Sequence, residues 1–394
     1  MTATMTTVNA ILKEVYEGQI QTQMSDEVVA LKRIERTSAG VVDTVGGKYV
    51  TFPIRVRRNA GISYRAENVA LAAPGRQGYA AVQIGLKYGY GRFEVTGQTM
   101  ELAESNYQAF ASAMDGEMDG IKRDLAKDEA RITYGNVSNG AMTFINDTAT
   151  SASHVVLSVQ YLTIGDVVDV LIASTGSATG GGTALTIDNI VESTLTVTFS
   201  ASIGPTATTM AIYRTGNRLL EPTGFQQMMN TGILYGIDPA AQPLWVSTRN
   251  AIGGVLTELQ MIAACDTARR KGGKTSVIFT SLGVRRAYFN LLTQQRRFVQ
   301  TKEFTGGFQG LAFNYGSEIP VVEDVDCPAG HMFFVDESRV KKYRKREWYF
   351  ADDDGNVLKW VKDFDKWEGL AKQYWELGTS QRNAHVVNTG ITES

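Results

Sequence analysis

The chain has 394 residues, 43% of them hydrophobic and 20% charged, with 39 Lys and Arg against 41 Asp and Glu. That composition excludes overall disorder and fits about two to three globular domains. The near balance of charge lacks the basic excess that a protein gripping nucleic acid through its phosphates usually shows, and fits one that holds DNA without binding it tightly. The two cysteines, Cys265 and Cys327, match no metal-ligand spacing and cannot make a disulfide framework. They read as small buried hydrophobes in a reducing cytoplasm. Met1 to Val8 carries neither a basic nor an apolar signal region, and no apolar run approaches the ~18–20 residues of a membrane span. The protein is expected to be made and used in the cytoplasm, away from membranes.

Residues 8–17 (VNAILKEVYE) place Val8, Ile11, Leu12 and Val15 on one helical face. A stripe this short is unstable alone and is expected to dock on another surface. Residues 18–40 are polar and read as an extended arm. Residues 48–58 (KYVTFPIRVRR) alternate strictly, and 80–95 alternate again with Val82, Ile84, Leu86 and Tyr88 in phase. Together they predict a long hairpin over residues 41–95. Pro53 cannot donate to a ladder, so its strand belongs at an edge or in a free ribbon. An isolated ribbon is marginal in water and needs a partner outside its own hairpin.

From about Gly97 to Gly135, Met100, Ala103, Tyr107, Phe110, Met114, Met118, Ile121 and Leu125 recur at steps of three and four. They predict one helix of about 35 residues, a rod of roughly 50 Å. Gly116 and Gly120 lie one turn apart within it and weaken it where stiffness would be useful. Two explanations stand: close packing against another backbone, or a site where the helix bends.

Composition then changes abruptly. Residues 137–215 are rich in Thr, Ser, Ala, Val and Gly, and lack Lys and Arg until Arg214. The strand-like runs HVVLSVQYL, DVVDVLIAS, TALTIDNIV, TLTVTFSAS and TMAIYRT predict a small antiparallel sandwich or barrel, inserted into the rest of the chain. Residues 246–342 read as mixed α/β, with helices expected over Gly254–Arg270 and after Ser281, and strands at TSVIFT, EIPVVED and HMFFVD. Residues 346–377 read as strands around a turn at Asp352–Asn356 and carry Trp348, Trp360, Trp367 and Trp375.

No enzyme signature survives inspection. ARRKGGKTS (268–276) has Ala268 where a phosphate-binding loop needs Gly, and it follows a helix instead of preceding one. Phe350 occupies the first ligand position that a calcium loop over Asp352–Gly355 would need. His154, His331 and His385 fall in separate segments. No catalytic residue, cofactor or metal site is therefore expected. The basic clusters, among them Arg55, Arg57 and Arg58 on the hairpin and Arg296 and Arg297 farther on, are spread over several domains. That spread fits contacts to neighbouring subunits better than one nucleic-acid stripe.

The order of elements resembles the major capsid proteins of tailed bacteriophages, which have the Hong Kong 97-type capsid fold. Three stretches carry the resemblance. GGKYVTFPI…NAGISYRAENV…APGRQGY…IGLKYGYGRFEVTGQ (46–98) is similar to the family's extended loop. NYQAFASAM…IKRDLAKDEARITYG (106–135) is similar to its spine helix, and GGFQGLAFNYGSEIPVVEDVDCPAGHMFFVD (306–336) to its axial domain. With LLEPTGF (219–225), the likeness covers everything except 137–215.

The resemblance implies an α+β fold with these parts: an N-terminal arm (1–40), an extended loop (41–95), a peripheral domain (96–136, 216–245 and 346–394), an axial domain (246–345) and an inserted all-β domain (137–215). It implies a structural protein whose pentamers and hexamers close into an icosahedral shell around double-stranded DNA, without sequence-specific binding. The arm begins almost at Met1, so a separate scaffolding protein is expected, with a portal as a further partner. Some relatives weld subunits through a Lys in the extended loop. Here the tip carries Arg58, Arg65 and Arg76, with no Lys between Lys48 and Lys87, so no crosslink is expected. The same fold would also serve a bacterial compartment shell of the encapsulin kind, against which the inserted domain and long arm weigh. A metabolic enzyme is disfavoured by the absent site.

Overall fold

A computed structural model describes residues 28–36, 41–43, 49–98, 107–294, 302–303, 309–351 and 358–393. The expected helix at 8–17, the turn at 352–357 and the pair Arg296 and Arg297 lie outside them.

The described chain makes four sheets. The first is organised on the 14-residue strand Lys366–Thr379, which pairs with Lys87–Thr96 along that strand's whole length. It also pairs with Val340–Arg344, Tyr349–Phe350 and Leu358–Trp360, and Val41–Asp43 adds on beyond Val340–Arg344. The second is a mixed seven-stranded sheet running from Thr248–Gly254 at one edge to Lys302–Glu303 at the other. Helices Glu258–Arg270 and Leu282–Gln294 supply Met261, Ala264, Cys265, Val284 and Tyr288 to its core. The third is antiparallel, with strands drawn from Ala141–Phe144 to Met210–Arg214. An Ile145–Val156 bridge joins its two outer strands, so it closes on itself around Val168, Val170, Ile187, Phe199 and Ile212. The fourth is a two-stranded ribbon, Val50–Arg57 with Gly78–Ile84.

The long helix is described over Tyr107–Tyr134, 28 residues and about 42 Å. It stops at Gly135, whose φ of +60° suits glycine. A Cβ on Gly135 would come within 3.0 Å of the Gly224 Cα, and one on Gly224 within 2.5 Å of the Gly135 nitrogen. The chain entering and the chain leaving the barrel thus pass too close for side chains. The first two sheets share one core: Ile132 and Tyr134 from the helix meet Phe225, Phe279, Phe333, Trp375 and Leu377.

Five expectations need correction. The second arm of the hairpin splits at Gly85–Leu86: Gly78–Ile84 stays in the ribbon, while Lys87–Thr96 joins the long C-terminal strand. The buried face changes phase there: Val82 and Ile84 are buried, but Tyr88, expected in phase with them, is exposed, and Gly91 and Phe93 are buried instead. The arm is not extended throughout, because Ala30–Arg36 is helical with Ala30, Leu31 and Ile34 buried. The helix expected from Gly254 starts at Glu258: residues 248–254 form a strand, and Thr257 closes a capping box with Gln260. Val386–Ile391 was assigned with 346–394 to the peripheral domain, yet it pairs with Thr248–Gly254 and Met332–Val335 in the seven-stranded sheet. Conversely Val340–Arg344, assigned to 246–345, lies in the first sheet. The chain crosses between these two sheets twice, and strand patterns do not encode which sheet a strand joins.

Candidate assembly interface

The ribbon alternates half-buried and exposed residues, which sets Thr51, Pro53, Arg55 and Arg57 on the exposed face. Its base is anchored: Val50, Phe52, Ile54, Val82 and Ile84 pack on Trp245 and Tyr343, and Gln83 N donates to Tyr235 O. The ribbon therefore finds part of the partner it needs outside its own hairpin within the subunit itself. Beyond Arg57 and Gly78 that support ends. At the neck, Asn59 Oδ1 accepts from Gly61 N at 2.7 Å. A Cβ on Gly75 would come within 2.7 Å of the Gly61 nitrogen, so the two chains touch there.

Past the neck, residues 62–71 are all exposed. Tyr64 is 100% and Leu71 86% accessible, and Ile62 and Val69 are exposed beside them. Burying side chains of this size yields about 1.5–3 kcal/mol each, and the subunit alone leaves that unrealised. Arg55, Arg57, Arg58, Arg65 and Arg76 are all exposed, with Glu67 the one acid among them. The Arg65 Nε donates to Ser63 Oγ at 3.2 Å.

Behind the ribbon, buried charges fix the helix to the sheets. Arg131 bridges Asp128 at 2.9 Å and Glu221 at 2.7 Å, and Asp128 also meets Arg214 at 3.1 Å. Lys342 reaches Glu35 and Glu129, both at 2.9 Å, beneath the Trp375 ring. Trp348 Nε1 donates to Glu129 at 2.7 Å. Burial outweighs these partners and holds the Glu129 carboxyl above its usual range.

The turn Asp324–Cys327 is a second junction. Asp324 Oδ2 accepts from Ala30 N and from Tyr134 OH, and Lys127 bridges Asp326 at 2.8 Å. From the barrel, Tyr161 OH donates to Asp326 O at 2.7 Å and Gln160 Nε2 to Val325 O at 2.5 Å. Burial pushes the Asp326 carboxyl up to about 6.

A third cluster guards the crossing from the first sheet to the second. Arg382 is buried and faces only carbonyls, donating to Met228 O at 2.9 Å, Gly232 O at 2.7 Å and Trp245 O at 3.2 Å, and to Gln227 and Asn230 besides. Burial without an acid lowers its pKa to about 10. His385 Nδ1 accepts from Asp336 N, which leaves Nε2–H to donate to Thr379 Oγ1 at 3.0 Å, and burial holds the ring at about 4. Glu376 accepts from Thr223 N at 2.5 Å and Leu377 N at 3.2 Å, and its burial raises it to about 7. Sequence reasoning missed these three clusters, because their members come from segments up to 307 positions apart.

Gly120 sits in the long helix with nothing within 4 Å of where its Cβ would stand. Among the described residues, close packing therefore does not explain it. The helix also runs through Gly116. Among the described residues no group of His, Cys, Asp and Glu could hold a metal ion, and no helix is long and apolar enough to cross a membrane. Cys265 and Cys327 are free and buried, and burial pushes the Cys265 thiol up to about 12.

A family model described as SU10 major capsid protein matches residues 93–354. No curated protein matches the chain. Among solved structures, the chain resembles the cyanophage A-1(L) capsid asymmetric unit, with a TM-score of 0.60, 14% identity, and 99% of this chain and 100% of that one covered. It resembles the capsid of a native GTA particle with a TM-score of 0.54 and 11% identity, covering 97% and 96%. It resembles Mycobacterium phage Bobi with a TM-score of 0.50 and 9% identity, covering all of both chains. At such identities the likeness speaks for the fold, the Hong Kong 97-type expected from the sequence.

Proposed function

The chain belongs to the SU10 major capsid protein family, and from that premise we propose that it builds its shell from pentamers and hexamers closed into an icosahedron around double-stranded DNA. As the major capsid protein of a tailed bacteriophage it resides in the virion. Its work is assembly, not catalysis: many copies joined by heterologous contacts that close by symmetry. The observation that carries the reading is the ribbon tip, whose apolar and arginine side chains stand exposed on the subunit. A monomer rarely leaves such a surface uncovered.

In this reading the tip and its arginines lie across a neighbouring subunit, and no covalent weld joins them. A scaffolding protein guides closure, a portal occupies one vertex, and DNA is enclosed without sequence-specific contacts. Residues 137–215 are an inserted domain, and Gly116 and Gly120 let the long helix bend between non-identical positions. The test is electron microscopy and sedimentation of the overexpressed chain, with scaffold supplied. Closed shells or capsomer-derived tubes are expected. Monomers or dimers alone would refute the reading.

A further inference from the structure

The barrel carries one corner whose chemistry matches the ribbon tip. Between residues 137 and 213 there is no Lys or Arg, and the acids are Asp147, Asp166, Asp169, Asp188 and Glu192. Three of them serve the barrel itself. Asp147 holds His154 and Val155 N, Asp166 accepts from Thr163 N, and the buried Asp169 accepts from Ala184 N and Gly216 N. Asp188 and Glu192 are exposed and have no partner among the described residues.

The strand that carries Asp188 and the turn that carries Glu192 also expose apolar side chains. Thr196 pairs with Val191 on one side and Val155 on the other, so those two valines flank it. Both are exposed, as are Leu195 and, at 58%, Leu157. Leu195 has a φ of +50°, a left-handed conformation that side chains other than Gly, Asn and Asp seldom adopt. A strained backbone here holds an apolar residue out toward solvent.

The ribbon tip has the same two components with the opposite charge: Ile62, Tyr64 and Leu71 beside Arg58, Arg65 and Arg76. We propose that the corner Asp188–Leu195 receives the ribbon tip of a second copy of the chain. Apolar burial supplies the attraction, and the arginines opposite Asp188 and Glu192 fix the register. The barrel thereby becomes a working part of the shell lattice and not a passive decoration. This contact rests on the shell-building reading.

The test uses the full chain in assembled particles. Ile62→Cys combined with Leu195→Cys, after mild oxidation, is expected to give a ladder of linked subunits on non-reducing electrophoresis. Its yield should exceed that of either single variant by about tenfold, because a disulfide needs Cα atoms within about 7 Å. A bond within one subunit gives no ladder, and the two native cysteines are buried. A parallel pair, Ile62→Cys with Asp119→Cys, places the second thiol on the exposed face of the long helix. A ladder from that pair alone, or particles with no ladder from the first pair, overturns the proposal.

Charge reversal decides the matter if the cysteine variants do not assemble. Asp188→Lys with Glu192→Lys should cut particle yield at least tenfold, and adding Arg65→Glu with Arg76→Glu should restore it. Normal assembly of the first variant, or no recovery by a folded combined variant, counts against the contact. Particle yield of the unaltered chain reports on the shell reading, whereas the linkage within those particles reports on this contact.

Discussion

Glu376 makes the stability of the subunit depend on pH in a direction opposite to that of most carboxylates. It is 2% exposed, accepts from two backbone N–H groups with no cation within bonding distance among the described residues, and is raised by burial from 4.5 to about 7. The folded state therefore holds its proton more tightly than the unfolded chain does. Stability from this group is fully present below about pH 4.5 and is lost as pH rises through 7. With 1.36 kcal/mol per unit, the loss is roughly 3 kcal/mol by pH 8. Glu376→Gln keeps an oxygen to accept from Thr223 and Leu377 but cannot ionise. It is expected to match the unaltered protein near pH 4.5 and to exceed it by roughly 2–3 kcal/mol at pH 8. Urea denaturation of dilute, unassembled subunits at several pH values measures both. A Gln variant that is equally stable at pH 8, or whose advantage does not shrink on acidification, would refute the argument.

Arg382→Ala leaves five carbonyls without their donor and should lower the unfolding free energy by about 4 kcal/mol or more, read from the urea midpoint. Shortening the loop between Asn59 and Gly78 should leave a folded subunit with an unchanged far-ultraviolet spectrum that cannot build stable shells; particles of normal yield and thermal stability would contradict this. Residues 137–215 expressed alone should fold as a β-rich monomer, since the barrel has its own core, and random-coil amide dispersion would count against it. Gly120→Ala, with open space at its Cβ, should raise subunit stability by about 1 kcal/mol, and together with Gly116→Ala it should impair shell closure. A fall in melting temperature of the unassembled double variant would sink the bending explanation.

What the sequence made legible follows from periodicity. The ribbon strand Val50–Arg57 has a half-buried, exposed alternation that its residues display outright. The long helix ends at Gly135 because a glycine at positive φ closes it, a signal carried in one residue. Partner choice is different. Lys87–Thr96 looks like a continuation of the ribbon, yet ten consecutive pairings tie it to Lys366–Thr379, far away in sequence. Val386–Ile391 likewise joins the seven-stranded sheet across a crossing that Arg382 and His385 hold by bonds to backbone. A lone buried arginine bonded only to carbonyls has no motif, because any residue can supply a carbonyl.

The same reasoning separates an assembly surface from an active site. Catalysis requires side chains from distant segments to converge, and the convergent clusters here bond to backbone and to one another across the sheets. An assembly surface instead needs side chains that fail to converge on anything in their own subunit. Ile62, Tyr64 and Leu71 lie in the same stretch as Arg58, Arg65 and Arg76; sequence alone singled out the arginines, and their exposed apolar neighbours emerge from the structure. Its arginines match the acids at 188 and 192 only because the barrel between 137 and 213 has no basic residue at all. An apolar surface with a one-sided charge can be covered by a copy of the same chain without burying like charges together. That condition is met by the ribbon tip against the barrel corner, and it is not met by the tip against another tip, where arginine would face arginine.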